Sequence, residues 1–186
     1  MKKIILASAS PRRKQLLSTI IDNFEIIPSN ALEVYPETLD AMDVSLFLSN
    51  LKAKDIHNKY PNDVVIGSDT TVIINNKVLG KPDDKNDARN MLNTLSNNLH
   101  YVVSGVTIYN GEETYQINSI SKVFFKKLSS EDIEDYLSHD EYKDKAGSYA
   151  IQGLASVFID HIEGDYDTIV GFPTQQVKDV LDKILK

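Results

Sequence analysis

The stretch ILASASPRRKQLL, Ile5 to Leu17, moves from an apolar run to small residues and then to a charged, helix-forming segment. Lys3 to Ala9 reads as a strand. Ser10 is a good helix cap, and Pro11 suits the first helical position. Leu16 and Leu17 begin a buried stripe, so a helix is expected from Pro11 to about Ile20. Arg12 and Arg13 fall in its first turn, the positive end of the helix dipole, where each cation costs roughly 0.3–1 kcal/mol. A strand, a small-residue loop and a helix start together offer free N–H groups to an anion. Ser8 and Ser10 add hydroxyls, and the two arginines can grip phosphate oxygens bidentately. The alternative is that both arginines are solvated and their stems cover the helix.

Outward from this unit, strands and helices alternate. NFEIIPS suggests a short strand, and Ala31 to Ala41 has no clear period and reads as a loop. VSLFLSNLKAKDIHNKY has apolar residues at Val44, Phe47, Leu48, Leu51 and Ile56, near helical spacing. DVVIGSDTTVII is rich in β-branched residues and reads as a buried strand. Asn75-Asn76 then suits a hairpin turn, with KVLG as the return strand. DDKNDARNMLNTLS is an amphipathic helix with an acidic start. Asn110-Gly111 marks a second hairpin within an alternating stretch. SSEDIEDYLSH reads as a short capped helix, and residues 148–171 as strand-like segments broken by glycines. Thr174 is placed to cap a last helix carrying Val177, Val180, Leu181 and Ile184. The class is α/β or α+β in one domain, 1–186, since no linker or repeat interrupts the chain.

The chain has 186 residues, 41% of them hydrophobic and 25% charged, and no cysteine. Those proportions fit a globular protein with a real core, and they exclude disulfides, thiolate metal sites and thiol nucleophiles. The net charge of −7 argues against broad binding to a nucleic acid polymer. No apolar run approaches a membrane span, and no targeting segment is recognisable, which points to the cytoplasm.

Three further residues stand out. Asp69 lies inside an apolar strand, where a carboxylate needs a cation, a metal or several donors; otherwise Gly67 to Asp69 would have to be an exposed bend. Lys81 leaves a strand in LGKP and gains meaning only if it converges with Arg12 and Asp69. Gln152 in GSYAIQG sits among apolar residues; its amide could meet the edge of a base, or be satisfied by backbone. His57, His100, His139 and His161 lack metal-ligand spacing. Asp165 and Asp167 read as turn residues. No phosphate-binding G-x-x-x-x-G-K-[ST] loop is present.

LASASPRRKQLL, Lys52-Ala53, GSDTTV, LGKP, DKAGSYAIQG and GDYDTIVGFP occur in order across nearly the whole chain. In these motifs the sequence resembles the Maf family of nucleoside triphosphate pyrophosphatases. The resemblance implies one Maf-like, inosine-triphosphatase-like domain: a mixed twisted sheet with flanking helices and two lobes around a cleft. It also implies a homodimer, a divalent cation (Mg²⁺ or Mn²⁺), and hydrolysis of nucleoside triphosphates to monophosphate and pyrophosphate. Asp69 matches the family's proton acceptor and a metal ligand, and Glu33 a second metal ligand. Ser8, Arg12, Arg13, Lys52 and Lys81 match positions lining the phosphate site.

Arg12, Thr70 and Gln152 match the subgroup that acts on dTTP and UTP. The amide of Gln152 suits the O4 and N3–H edge shared by thymine and uracil. Three positions depart from the family pattern. Ser68 replaces the usual Ala before Asp69, Leu32 replaces an Asp before Glu33, and Ala150 replaces a common Gly. Two rival functions are a nucleotide-binding regulator of septum formation without turnover, and a pyrophosphatase for non-standard purine nucleotides.

Overall fold

A computed structural model describes residues 2–185. Its seven strands form one mixed sheet in the order β2-β1-β3-β5-β6-β7, with β4 paired to β3. The strands are β1 (Ile4–Leu6), β2 (Glu25–Ile26), β3 (Val64–Ile74), β4 (Lys77–Leu79), β5 (Leu99–Asn110), β6 (Glu113–Phe125) and β7 (Ile159–Glu163). The helices are α1 (Pro11–Leu17), α2 (Val44–His57), α3 (Lys85–Leu95), α4 (Ser130–Ser138), α5 (Tyr166–Val170) and α6 (Thr174–Ile184). β1 pairs in parallel with both β2 and β3, whereas β3–β4 and β6–β7 are antiparallel. The chain separates into two compact units, 1–70 with 104–119 and 171–186, and 71–103 with 120–170.

In the first unit the sheet is covered on both faces, which is why β1 and β3 read as near-continuous apolar runs. Ile4, Leu6, Val64, Ile66, Val106 and Ile108 form one core with Leu17 of α1 and Phe172, Val177 and Leu181 of the C-terminal segment. Ile5, Ala7 and Val65 point the other way, onto Ala53 and Ile56 of α2. This alternation is the period of two expected of strands.

The buried face of α2 differs from the apolar pattern read in sequence. Val44, Ser45, Leu48, Ser49, Ala53 and Ile56 are buried, whereas Phe47 and Leu51 are only partly so. Small residues face the sheet because α2 approaches it at two glycines. A Cβ on Gly67 would lie 2.4 Å from the Ser49 carbonyl oxygen, and one on Gly105 2.4 Å from the Leu46 Cα. Ser49 uses its hydroxyl in this tight seam, 2.9 Å from the Thr107 hydroxyl.

The second unit packs α3 and α4 through Ala88, Leu92, Leu95, Ile133, Tyr136 and Leu137, all buried, and Arg89 of α3 is ion-paired to Glu134 of α4. Four local expectations need correction. α1 ends at Leu17, where the Ser18 and Thr19 hydroxyls donate to the Lys14 and Leu16 carbonyls and compete with further helix. The second hairpin turns at Gly111-Glu112 rather than Asn110-Gly111, and only Gly111 takes positive φ. Residues 148–171 contain one strand, β7; Leu154–Phe158 is a 3₁₀ turn and 166–170 is α5, whose Thr168 N–H donates to Asp165. Thr174 begins α6 rather than capping it, and its hydroxyl donates back to the Phe172 carbonyl.

Candidate active site

β3 and α2 bring the first group of residues together. Gly67 and Asp69 lie on the α2 side of β3, so the close approach at Gly67 also brings in the helical turn that carries Lys52. The Lys52 ammonium donates to Asp69 Oδ1 at 2.6 Å and lies 3.1 Å from Glu33 Oε1. The Lys52 and Asp69 side chains are only 12% and 10% exposed, whereas that of Glu33 is 57% exposed. Asp69 is therefore in a regular buried strand, and the exposed-bend alternative falls away. Burial pushes its pKa above the ordinary value of 3.8, while the Lys52 and Arg13 charges pull it back. Burial dominates this balance, which favours a carboxyl able to take up a proton.

Ser68 and Thr70 point to the opposite face of β3 and meet the first turn of α1. Ser10 caps that helix as the sequence predicts, accepting from the Arg13 N–H. Arg13 Nε donates to the Gly171 carbonyl at 3.1 Å, Nη1 to the Ser8 hydroxyl at 3.2 Å and Nη2 to Thr70 Oγ1 at 3.2 Å. The Gly171 carbonyl also accepts from the Ser68 and Thr70 hydroxyls, both at 3.3 Å. Thr70 Oγ1 lies 2.8 Å from the Ser104 hydroxyl. These partners of Arg13 are all neutral, and among the described residues it has no ion pair. Burial lowers its pKa, and the nearby Asp69 charge opposes that shift. A cation held this way gains from an incoming anion. Arg12 is part-buried on the same turn.

The second unit carries Lys81 and Gln152, both exposed. Gln152 is thus not the buried amide suggested by its apolar neighbours, because the chain bends at Ile151–Gly153 and turns it outward. The loops bearing Lys81 and Gln152 are joined: the Gly147 N–H donates to the Gly80 carbonyl at 3.0 Å. Sequence reasoning missed Ser104 and Gly171. The available signal was the hydroxyl at alternate positions 68 and 70 of an otherwise apolar strand, which calls for a polar partner on that face.

Among the described residues no cluster of three or more His, Cys, Asp or Glu forms a metal site. Asp69 and Glu33 nevertheless share one cation in Lys52. Two carboxylates with substrate oxygens suffice for a hard divalent ion, so this pair fits one.

A fold of this kind, with a buried acid and lysine on facing strand and helix, defines a class. Residues 3–184 match the model of the Maf-like protein family, and the chain belongs to that family. It is 44% identical over 173 residues to the dTTP/UTP pyrophosphatase of Pyrococcus furiosus, covering 93% of this chain and 90% of that one. It is 39% identical over 185 residues to the dTTP/UTP pyrophosphatase of Alkaliphilus metalliredigens, covering 98% and 96%. Among solved structures, a HAM1 protein from Coxiella burnetii aligns with a TM-score of 0.56 at 11% identity, over 98% of this chain and 100% of that one. That likeness concerns the fold alone.

Proposed function

We propose that this protein hydrolyses dTTP and UTP to the nucleoside monophosphate and pyrophosphate. The observation that carries the reading is the buried Asp69 beside Lys52, in a chain about two-fifths identical to proteins named for that reaction. Water attacks the α-phosphorus, and Asp69 takes its proton. The new bond joins the water oxygen to the α-phosphorus. The bond from that phosphorus to the α–β bridging oxygen breaks, and the bridging oxygen leaves with pyrophosphate.

Lys52 sits on the Asp69 carboxylate and meets the phosphate charge that arrives there. Arg12 and Lys81 supply further cations. Arg13 holds Ser8 and contributes its part-buried charge. Fixed cations of this kind need no rearrangement as charge develops on the leaving group. Asp69 and Glu33 are the residues that would hold Mg²⁺ or Mn²⁺; bound there, the ion would neutralise phosphate charge and acidify water. Gln152 reads the O4 and N3–H edge with its amide, which has no hydrogen-bond partner among the described residues. Thr70 contributes to specificity through the Arg13 network, since its hydroxyl is already engaged there.

The test is a panel of dTTP, UTP, CTP, GTP and ITP with Mg²⁺, in which pyrophosphate and orthophosphate are read separately. UMP and pyrophosphate from UTP, with little from ITP, are expected. Orthophosphate alone would mean cleavage at the γ position and refute the mechanism. Tight binding without any product would mark a nucleotide-binding regulator. Asp69→Asn is expected to abolish turnover and leave nucleotide affinity largely intact.

A further inference from the structure

Gln152 is exposed, yet the segment around it is fixed at four points, all within the second unit. The Gly147 N–H donates to the Gly80 carbonyl at 3.0 Å. The Tyr136 hydroxyl donates to the Ser148 carbonyl at 3.0 Å. The Tyr149 hydroxyl lies 2.6 Å from His100 Nε2. Beyond Gln152, the Leu154 N–H is shared by both oxygens of Glu141, each at 3.1 Å.

These contacts are costly ones. His100 is fully buried, and its Nδ1 has no partner among the described residues. Burial pushes its pKa down to about 3, so the ring is neutral at any ordinary pH. Ser148 is fully buried with φ of 65°, a left-handed conformation that residues with a Cβ avoid. Gly153 has φ of 121°, and a Cβ there would lie 2.6 Å from Glu141 Oε1, so the Glu141 carboxylate occupies the space that glycine leaves. A surface bend with no role would not need a strained serine, a half-satisfied buried histidine and a carboxylate clamp. Such devices persist where the surroundings over-determine a conformation that function requires.

We propose that Glu141, Tyr136 and the His100–Tyr149 pair are positioning residues for base selection: they hold the backbone on both sides of Gln152, so that its amide presents donor and acceptor to the base in one orientation. The Gly147–Gly80 bond extends the effect, because the same segment anchors the turn that carries Lys81. Base reader and phosphate cation are then set by one framework. This inference rests on the reading that Gln152 recognises the base.

The measurement is the ratio of kcat/KM for UTP over CTP, which differ on the edge that Gln152 would read. A ratio taken within one variant is independent of how much protein is folded. Glu141→Ala and Tyr136→Phe are each expected to lower it about five-fold, the value of one misdirected hydrogen bond. Glu141→Gln, which keeps an acceptor for the Leu154 N–H, is expected to restore most of it. Val123→Ala, a fully buried truncation in the same unit, lowers the melting temperature but leaves the ratio unchanged. An unchanged ratio in both Glu141→Ala and Tyr136→Phe overturns the positioning role, as does an equal fall in Val123→Ala. Gln152→Glu separates this from the underlying reading. If Gln152→Glu shifts the ratio but the flanking variants do not, only the positioning role fails. If Gln152→Glu leaves the ratio unmoved, base reading itself fails and the positioning role falls with it.

Discussion

Gly67→Ala places a methyl group in the closest contact between β3 and α2. Its Cβ would lie 2.4 Å from the Ser49 carbonyl oxygen, 2.7 Å from the Ala53 nitrogen and 2.8 Å from the Ala53 Cβ, where ordinary contacts begin at 3.4 Å. The first two atoms are backbone, so no rotamer change relieves them, and α2 must retreat by about 1 Å. Overpacking of this kind costs about 3 kcal/mol, the upper end of its usual range. For a chain of this size that is roughly 6–12 °C in melting temperature.

The retreat also moves Lys52, three residues from Ser49. Its 2.6 Å bond to Asp69 would stretch to about 3.6 Å, beyond hydrogen-bond range. A misplacement of about 1 Å in a catalytic group can cost about 100-fold in rate. Thermal melts by circular dichroism and pyrophosphate release from UTP read the two effects independently. Ala53→Gly in the same chain should not rescue either one, because the Ser49 oxygen and Ala53 nitrogen remain in place. A Gly67→Ala protein that melts within about 2 °C of the parent, with normal turnover, would refute the close approach and its link to Lys52.

Three further outcomes follow from the site and its surroundings. Asp69 has a folded pKa above its unfolded value, so its ionisation costs stability. That cost is absent well below pH 3.8 and is fully present above the folded value. Asp69→Asn should therefore melt no lower than the parent at neutral pH, with the difference vanishing in acid; a variant several degrees less stable would contradict the burial argument. The acid limb of kcat/KM should correspondingly lie above the ordinary carboxylate range. Ser129 caps α4 in a reciprocal box with Asp132, accepting from the Asp132 N–H at 3.1 Å while the Ser129 N–H donates to the Asp132 carboxylate at 2.8 Å. Ser129→Ala should cost about 1 kcal/mol in melts, and the UTP to CTP ratio should stay fixed.

Much of the site was legible because chemistry contradicted its surroundings. Asp69 in an apolar strand demanded a cation, and Lys52 supplies it; Arg13 in a helix's first turn demanded an anion, and within the described residues it meets only hydroxyls and the Gly171 carbonyl. Ser10 and Pro11 marked the start of α1 correctly because a cap is a local signal. The buried face of α2 was misread because its periodicity is carried by Ser45, Ser49 and Ala53. Small residues there answer to Gly67 and Gly105, which lie far along the chain, so no local pattern announces them. Gln152 was misjudged for a similar reason: its neighbours are apolar, but the bend that exposes it is held by Tyr136, His100 and Glu141. The strand-like composition of 166–170 yielded to Asp165, whose carboxylate starts a helix where β-branched residues suggested none.

The chain passes between the two units three times within strands or their ends, at Thr70–Thr71, Val103–Ser104 and Ser119–Ile120, and once more at Val170–Gly171. Phe172, Val177 and Leu181 complete the apolar interior begun by Ile4 and Leu6, more than 160 positions earlier in the sequence. Neither unit can be excised as a contiguous fragment. Removal of the segment from Phe172 onward therefore opens the hydrophobic face under β1, and such a deletion should yield an aggregation-prone product rather than a smaller working enzyme.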